Sequence, residues 1–107
     1  MNPTFVFRSE LVPWTNGKGS WVFATVPVDE ADEIKEIVPR RRGFGSVKVL
    51  ASVGGVAWTT SIFPDSKTDT FVLPVKAAVR KKAGVDLGDV VEIELEVLLD
   101  LDLPSPN

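Results

Sequence analysis

Two clusters of basic side chains are the residues of this chain whose types and spacing could do chemistry. Lys76 and Arg80 are four residues apart, and Arg40, Arg41 and Arg42 are adjacent. A lysine ammonium acts as a point charge, whereas an arginine guanidinium is a planar fork that matches phosphate and carboxylate groups. The chain carries 12 basic and 15 acidic residues, so both clusters lie against an acidic background. This pattern predicts the binding of a small anionic ligand.

Lys76 is the strongest single candidate within these clusters. It follows Pro74, which suits the first position of a helix, and the free N–H groups of a helix start favour anions. A cation in the first turn opposes the helix dipole, so the dipole gives Lys76 no structural reason to be there. Arg80 would lie one turn further on, and Trp58 or Trp14 would stack on a ligand ring. The alternatives are a solvated Lys76, a solvated arginine run and a Trp14 that covers the core.

Two further groups of polar residues admit a chemical interpretation. Residues 59–61 (Thr-Thr-Ser) offer three hydroxyls, but a nucleophile needs a base and the chain has no His. Filling of a strand by β-branched residues explains them more simply. Residues 29–33 contain four acids, which would suit a metal, but acids are also favoured at a helix start by the dipole. We therefore expect no metal site and no catalytic residue.

The composition restricts the class of protein. A chain of 107 residues is one domain. It has no Cys, His or Tyr, which removes thiolate chemistry and the usual neutral-pH general base. We expect a cytoplasmic, non-enzymatic protein without a cofactor, without a membrane-spanning segment and present as a monomer or homodimer. The net charge of −3 makes nucleic acid an unlikely partner.

Short strands and two short helices must position these residues. Alternating apolar residues predict strands over residues 4–11, 20–26, 46–53, 56–63, 70–73 and 89–97. Residues 20–26 are apolar on both sides, which is typical of a strand covered on both faces. Gly54 and Gly55 predict a two-residue hairpin turn, and residues 12–20 and 64–69 predict loops. Helices are predicted over about 29–37 and 75–83, the second with an apolar face that includes Ala78 and ending at a left-handed Gly84.

Two longer patterns resemble known families. Leu73-Pro74, then Val79-Arg80, Gly84 and Gly88-Asp89 before an alternating strand, is similar to half of an AbrB-type barrel. Adding residues 53–61 (VGGVAWTTS), the chain resembles domain-of-unknown-function family 1905 over roughly residues 4–97. The family usually has Gly and then Tyr before the Leu-Pro pair, whereas this chain has Asp69, Thr70 and Phe71, so any role of that tyrosine hydroxyl is absent.

The family resemblance implies a fold and leaves several functions open. It implies a mainly β protein, a small double-split β-barrel of about six or seven strands with helices against its openings. The domain would span residues 1–97, and residues 98–107 would be a strand extension or a tail. The first interpretation is a non-catalytic binding module for an anionic ligand. The alternatives are a protein-interaction module that partners a YdeI/OmpD-associated type domain, and an AbrB-like nucleic-acid-binding regulator.

Overall fold

The computed structural model of the chain describes residues 2–15, 20–38 and 45–99. Within these ranges seven strands and two helices follow one another. They are β1 Thr4–Glu10, β2 Val12–Thr15, β3 Ser20–Thr25, α1 Val28–Ile37, β4 Val47–Val53, β5 Val56–Asp65, β6 Thr70–Pro74, α2 Ala77–Ala83 and β7 Val90–Val97. The prediction of a mainly β fold with six or seven strands and two short helices is confirmed.

The strands form one curled half-barrel sheet in the order β1-β7-β4-β5-β6-β3-β2, and every neighbouring pair is antiparallel. The two edge strands, β1 and β2, are consecutive in the chain and are joined by Leu11 alone. The sheet must therefore curl until its edges meet at this residue. Leu11 is buried, its N–H donates to Asp89 O at 2.9 Å, and its carbonyl accepts from Gly88 N at 2.9 Å. The finer double-split arrangement stays a prediction.

The core lies inside the curl and is built from one face of each strand. Along β7, Val91, Ile93, Leu95 and Val97 are buried, whereas Val90 and the glutamates at 92 and 94 are exposed. Burying one such aliphatic side chain contributes about 1.5–3 kcal/mol relative to leaving it in water. The alternation of apolar and polar residues that predicts β7 therefore also determines which face of the strand is buried.

The hairpin of β4 and β5 forms as predicted. Gly54 and Gly55 have φ of 56° and 82°, which is the pair of positive values that a type I′ turn requires. Val53 pairs with Val56 across the turn, and the register runs on to Val47 with Ile62. Glycine is favoured at both turn positions because it adopts positive φ without a steric cost from a Cβ atom.

The first helix packs one face on the core. Ala31 and Ile34 are fully buried, while Ile37 is 39% exposed. Asp29 and Glu30 lie in the first turn of α1, where the helix dipole favours negative charge. The helix begins one residue before the predicted start and ends where predicted. Neither α1 nor α2 is long and apolar enough to cross a membrane.

One prediction about the strands is wrong. Residues 12–20 were expected to form a loop, but β2 occupies Val12–Thr15 and pairs with β3 through the backbones of Trp14 and Trp21. The last strand ends at Val97, the end of the predicted strand, and the alternative of a strand extension or a tail beyond it stays open. Residues 100–107, and the arginines at 40–42, lie outside the described residues.

Candidate functional site

The site begins where β5 and β6 separate. β5 pairs with β4 through Val56–Ile62 and with β6 through its last three residues, from Phe63 opposite Val72 to Asp65 opposite Thr70. Continuing that register would place Ser61 opposite Pro74 and Thr59 opposite Lys76. Proline has no N–H and cannot donate to a neighbouring strand. The ladder ends before Pro74, and the two backbones diverge into a wedge.

Pro74 is the last residue of β6, and α2 begins at Ala77, so the prediction of a helix from residue 75 is wrong at its start. Pro74 pairs with Phe23 of β3, and the Val75 N–H donates to Val22 O at 2.8 Å, so strand pairing holds these residues extended. Lys76 is the residue that precedes the helix, with φ −71° and ψ 159°. A helix of seven residues has a small dipole, so anion attraction here must come from side chains.

The C-terminal end of α2 forms as predicted. Gly84 is left-handed with φ 71°, and the Val85 N–H donates to Arg80 O at 3.0 Å. Val79 is buried and Val85 is partly buried against the core, but Ala78, expected on the apolar face, is exposed. The helix therefore contacts the core through a narrower face than its sequence suggests.

A cavity of about 510 Å³ fills the wedge between β5 on one side and β6 with the start of α2 on the other. It is lined by Trp21, Val22, Trp58, Thr59, Thr60, Phe63, Pro74, Val75, Lys76, Ala77 and Arg80. Lys76, Arg80 and Trp58, which the sequence predicts as ligand-binding residues, all line this cavity. We refer to it as the wedge cavity.

The sequence predicts six ligand-binding residues, and the structure brings together the three that it describes: Lys76, Arg80 and Trp58. The other three, the arginines at 40–42, lie in residues 39–44, which the structure does not describe. Gly45, which follows this segment, lies beside Pro64. Pro64 is the residue after Phe63, which lines the cavity. The prediction for the arginines therefore stays a prediction, while the grouping of the other three is a property of the fold.

Arg80 and Lys76, the two cations of the wedge cavity, differ in the hydrogen bonds and ion pairs that they make within the protein. Arg80 Nε donates to Val75 O at 3.1 Å, and its Nη1 lies 3.6 Å from Asp86 Oδ1, with the Arg80 side chain 23% exposed. Arg80 thus ties α2 to the segment before it. Lys76 is exposed, and its ammonium makes no hydrogen bond or ion pair with any residue that the structure describes. Lys76 is therefore the cation that is available to a ligand.

Aromatic rings supply the apolar part of the wedge cavity. Trp58 is partly buried against the core, and Trp21 is 52% exposed although its neighbour Val22 is buried. Phe63 is 36% exposed at the point where β5 and β6 meet. Exposed tryptophan beside a cation is an arrangement that suits a ligand with a flat apolar body and a negative group.

Sequence reasoning missed Trp21 and Phe63. The sequence predicts that residues 20–26 are covered on both faces, but Trp21 is half exposed. The period of two along β3 contains this information. Val22, Ala24 and Val26 form the buried face, so Trp21 lies on the opposite face. Which structure lies over that second face depends on pairings between residues far apart in the chain.

A second cavity, of about 540 Å³, lies near the β4–β5 turn. Its lining includes Glu92 and Glu94 together with Val6, Gly54 and Val85. This lining contains two carboxylates and no cation, so the second cavity repels anions. The two cavities therefore have linings of opposite charge. The anion prediction therefore applies to the wedge cavity alone of these two.

The hydroxyls of residues 59 and 60 and the acids at the start of α1 lie within the described residues. Thr59 and Thr60 line the wedge cavity, but neither hydroxyl is hydrogen-bonded to Lys76 or to another base. Within residues 2–15, 20–38 and 45–99, no three His, Cys, Asp or Glu side chains are grouped closely enough to hold a metal ion. The acids at the start of α1 lie within these ranges.

Fold and site together define a class: a small, mainly β domain whose curled sheet splits to form a cationic, aromatic cavity. The sequence profile described as Domain of unknown function (DUF1905) matches residues 7–95, which is most of the chain. The chain belongs to this family, as its resemblance predicts. No curated protein matches the sequence.

Proposed function

We propose that this chain is a non-catalytic binding module for a small anionic ligand that occupies the wedge cavity. One observation carries the proposal: among the residues that line this cavity, the charged ones are Lys76 and Arg80, and none is acidic. The chain as a whole has more acids than bases. A cationic cavity on an acidic protein concentrates an anion at one place and repels it elsewhere.

Lys76 and the two tryptophans would contact different parts of the ligand. Lys76 would contact the negative group of the ligand, and a hydrogen bond to a charged group contributes about 1.5–3 kcal/mol. Trp21 and Trp58 would cover the apolar body of the ligand. Arg80 already bonds Val75 and Asp86, so it adds positive potential more than a direct contact. The ligand class that fits is a carboxylate or phosphate carried on an aromatic or aliphatic body.

The size of the cavity agrees with this ligand class. Sites for small molecules generally measure about 300–1,000 Å³, and the wedge cavity measures about 510 Å³. The alternative of an AbrB-like nucleic-acid regulator is less well supported, because the exposed face of β7 carries Glu92 and Glu94 and the net charge is −3. Phosphate backbones bind to surfaces of the opposite charge.

The proposal is tested by titrating the tryptophan fluorescence of the protein with 3-phenylpropionate, phenyl phosphate and the neutral 3-phenylpropanamide. We expect the two anions to change the emission saturably and the amide to bind at least tenfold more weakly. Lys76→Ala should raise the Kd for the anions at least tenfold, since about 1.4 kcal/mol corresponds to that factor.

Lys82→Ala is the matched control, because Lys82 is also an exposed lysine of this region but does not line the wedge cavity. It removes the same charge from the protein and should leave the Kd within a factor of two. Equal binding of the amide and the anions, or equal Kd values for the Lys76 and Lys82 variants, would show that this cavity is not an anion site.

A further inference from the structure

β5 contributes part of the lining of the wedge cavity, and the hydrogen-bonding pattern of this strand bears on what kind of anion fits. In a type I′ hairpin the carbonyl of the residue before the turn accepts from the N–H of the residue after it, here Val53 and Val56. Hydrogen-bonded and non-hydrogen-bonded pairs then alternate along the two strands. The residues of β5 that turn both backbone groups away from β4 are therefore Ala57, Thr59 and Ser61.

Thr59 is the one of these three that lines the wedge cavity. β6 pairs with β5 only from residue 63 onwards, so no strand lies beside Thr59 on that side. Outside the strand ladders, none of the hydrogen bonds among the described residues uses the N–H or the carbonyl of Thr59. The cavity therefore contains one donor and one acceptor in the spacing of a strand edge, which an incoming extended peptide can use.

The wedge is closed where β5 and β6 pair, which limits how a peptide can enter. β5 and β6 are hydrogen-bonded neighbours at Phe63 and Val72, so a third strand cannot pass between them at that point. A peptide that pairs with Thr59 inside the wedge must end before it reaches Phe63. The site consequently suits the end of a chain and excludes the middle of one.

The charge of the wedge selects which end of a chain fits. Lys76 and Arg80 line the same cavity as Thr59, and no acid does. A terminal carboxylate complements these cations, whereas a terminal ammonium would be repelled by them. Because β5 runs towards the closed end, a peptide whose carboxyl end lies there runs parallel to β5.

We propose that the natural occupant of the wedge cavity is the extended carboxyl terminus of a partner protein, paired with the backbone of Thr59 and with its terminal carboxylate on Lys76. The last side chains of the peptide lie against Trp21 and Trp58, so apolar terminal residues are favoured. This inference rests on the proposed function and names the class of its anion.

The test uses four N-acetylated tetrapeptides that end in Ala, Val, Leu or Phe, each as the free acid and as the carboxamide. Binding to the whole protein is followed by tryptophan fluorescence. We expect at least one free acid to bind, tenfold or more tightly than its carboxamide. We also expect N-methylation of one backbone amide of that peptide to weaken binding at least tenfold, because the amide that donates to the Thr59 carbonyl is lost.

Two proline variants test the strand edge from the protein side. Thr59→Pro and Ala57→Pro each remove an N–H that points away from β4, so neither breaks the ladder between β4 and β5. Both residues are exposed, but only Thr59 lines the cavity. Thr59→Pro should raise the Kd of the peptide at least tenfold, and Ala57→Pro should leave it within a factor of two. If Thr59→Pro does not fold, the N-methylated peptides decide the question in the unaltered protein.

The outcomes separate this inference from the proposed function. If 3-phenylpropionate binds but no tetrapeptide acid does, the peptide inference is wrong and the anion module stands. If a tetrapeptide acid and its carboxamide bind equally, or if no N-methyl group weakens binding, the inference is wrong as well. If neither the small anions nor the peptides bind, both are wrong.

Discussion

The contact between the β4–β5 turn and the end of α2 gives the sharpest prediction about stability. A Cβ atom added at Gly54 would lie 3.2 Å from both the Cβ and the carbonyl oxygen of Ala83. A Cβ atom added at Gly55 would have no neighbour within 4 Å. Both glycines have positive φ, so Gly54→Ala and Gly55→Ala share the backbone strain and differ in the contact with α2.

The expected magnitudes follow from these two effects. A non-glycine residue in the left-handed region costs about 1–2 kcal/mol, which applies to both variants. Forcing extra volume against packed backbone costs a further 1–3 kcal/mol or so, which applies to Gly54→Ala alone. With an unfolding entropy of about 2.1 cal/mol/K per residue, 1 kcal/mol shifts the Tm of this chain by roughly 4–5 °C. Gly55→Ala should therefore lower Tm by about 5–9 °C, and Gly54→Ala by about 9 °C or more.

The measurement is thermal unfolding by circular dichroism on both variants at the same protein concentration. In a double-mutant cycle, adding Ala83→Gly should cost less in the Gly54→Ala background than in the unaltered protein, because it removes one of the two close contacts. Equal Tm values for the two alanine variants, or no coupling in the cycle, would refute the argument that the close contact with Ala83 adds to the cost of Gly54→Ala.

Two further predictions concern α1 and the turn before β6. Ile34→Ala should lower the free energy of unfolding by about 2–5 kcal/mol because Ile34 is fully buried. Ile37 is 39% exposed, so Ile37→Ala should lower it by less than about 1 kcal/mol. Equal unfolding midpoints of the two variants in guanidinium titrations would contradict this difference. Asp69 has φ 60° and pairs with Lys35 at 3.1 Å through a side chain that is 91% exposed. Asp69→Gly and Asp69→Ala both lose this ion pair, and only glycine adopts the positive φ without strain. Asp69→Gly should consequently melt several degrees above Asp69→Ala, and the reverse order in calorimetry would exclude this account.

The parts of the fold that depend on neighbouring residues were predictable from the sequence. Gly54 and Gly55 specify a type I′ turn by themselves, and the alternation of Glu92 and Glu94 with buried residues fixes the faces of β7. Gly84 likewise marks the end of α2. Each of these signals acts within a few residues, so no knowledge of the tertiary structure is needed to interpret it.

The parts that depend on distant pairing were not predictable. Pro74 suits a helix start locally, but its pairing with Phe23 places it in a strand. Trp14 lies among turn-forming residues, yet the backbone of Trp21 makes its segment a strand. Within the site, the choice of Lys76 needed only its own position, whereas the adjacency of Trp58 and Trp21 required the split between β5 and β6. Local rules therefore identify the cation, and the tertiary fold supplies the rings.

The pairing of the first strand with the last has a consequence for how this chain is made. β1 is antiparallel to β7, with Thr4 opposite Glu96 and Glu10 opposite Val90. A ribosome that adds about 5–20 residues per second needs roughly 4–18 s to travel from one strand to the other. During that time β1 has left or is leaving the exit tunnel while its partner has not been synthesised. Of these seven strands, β1 is translated before the others and is thus among the last to be paired, and its hydrogen-bonding edge is open to chaperones until translation of β7 is complete.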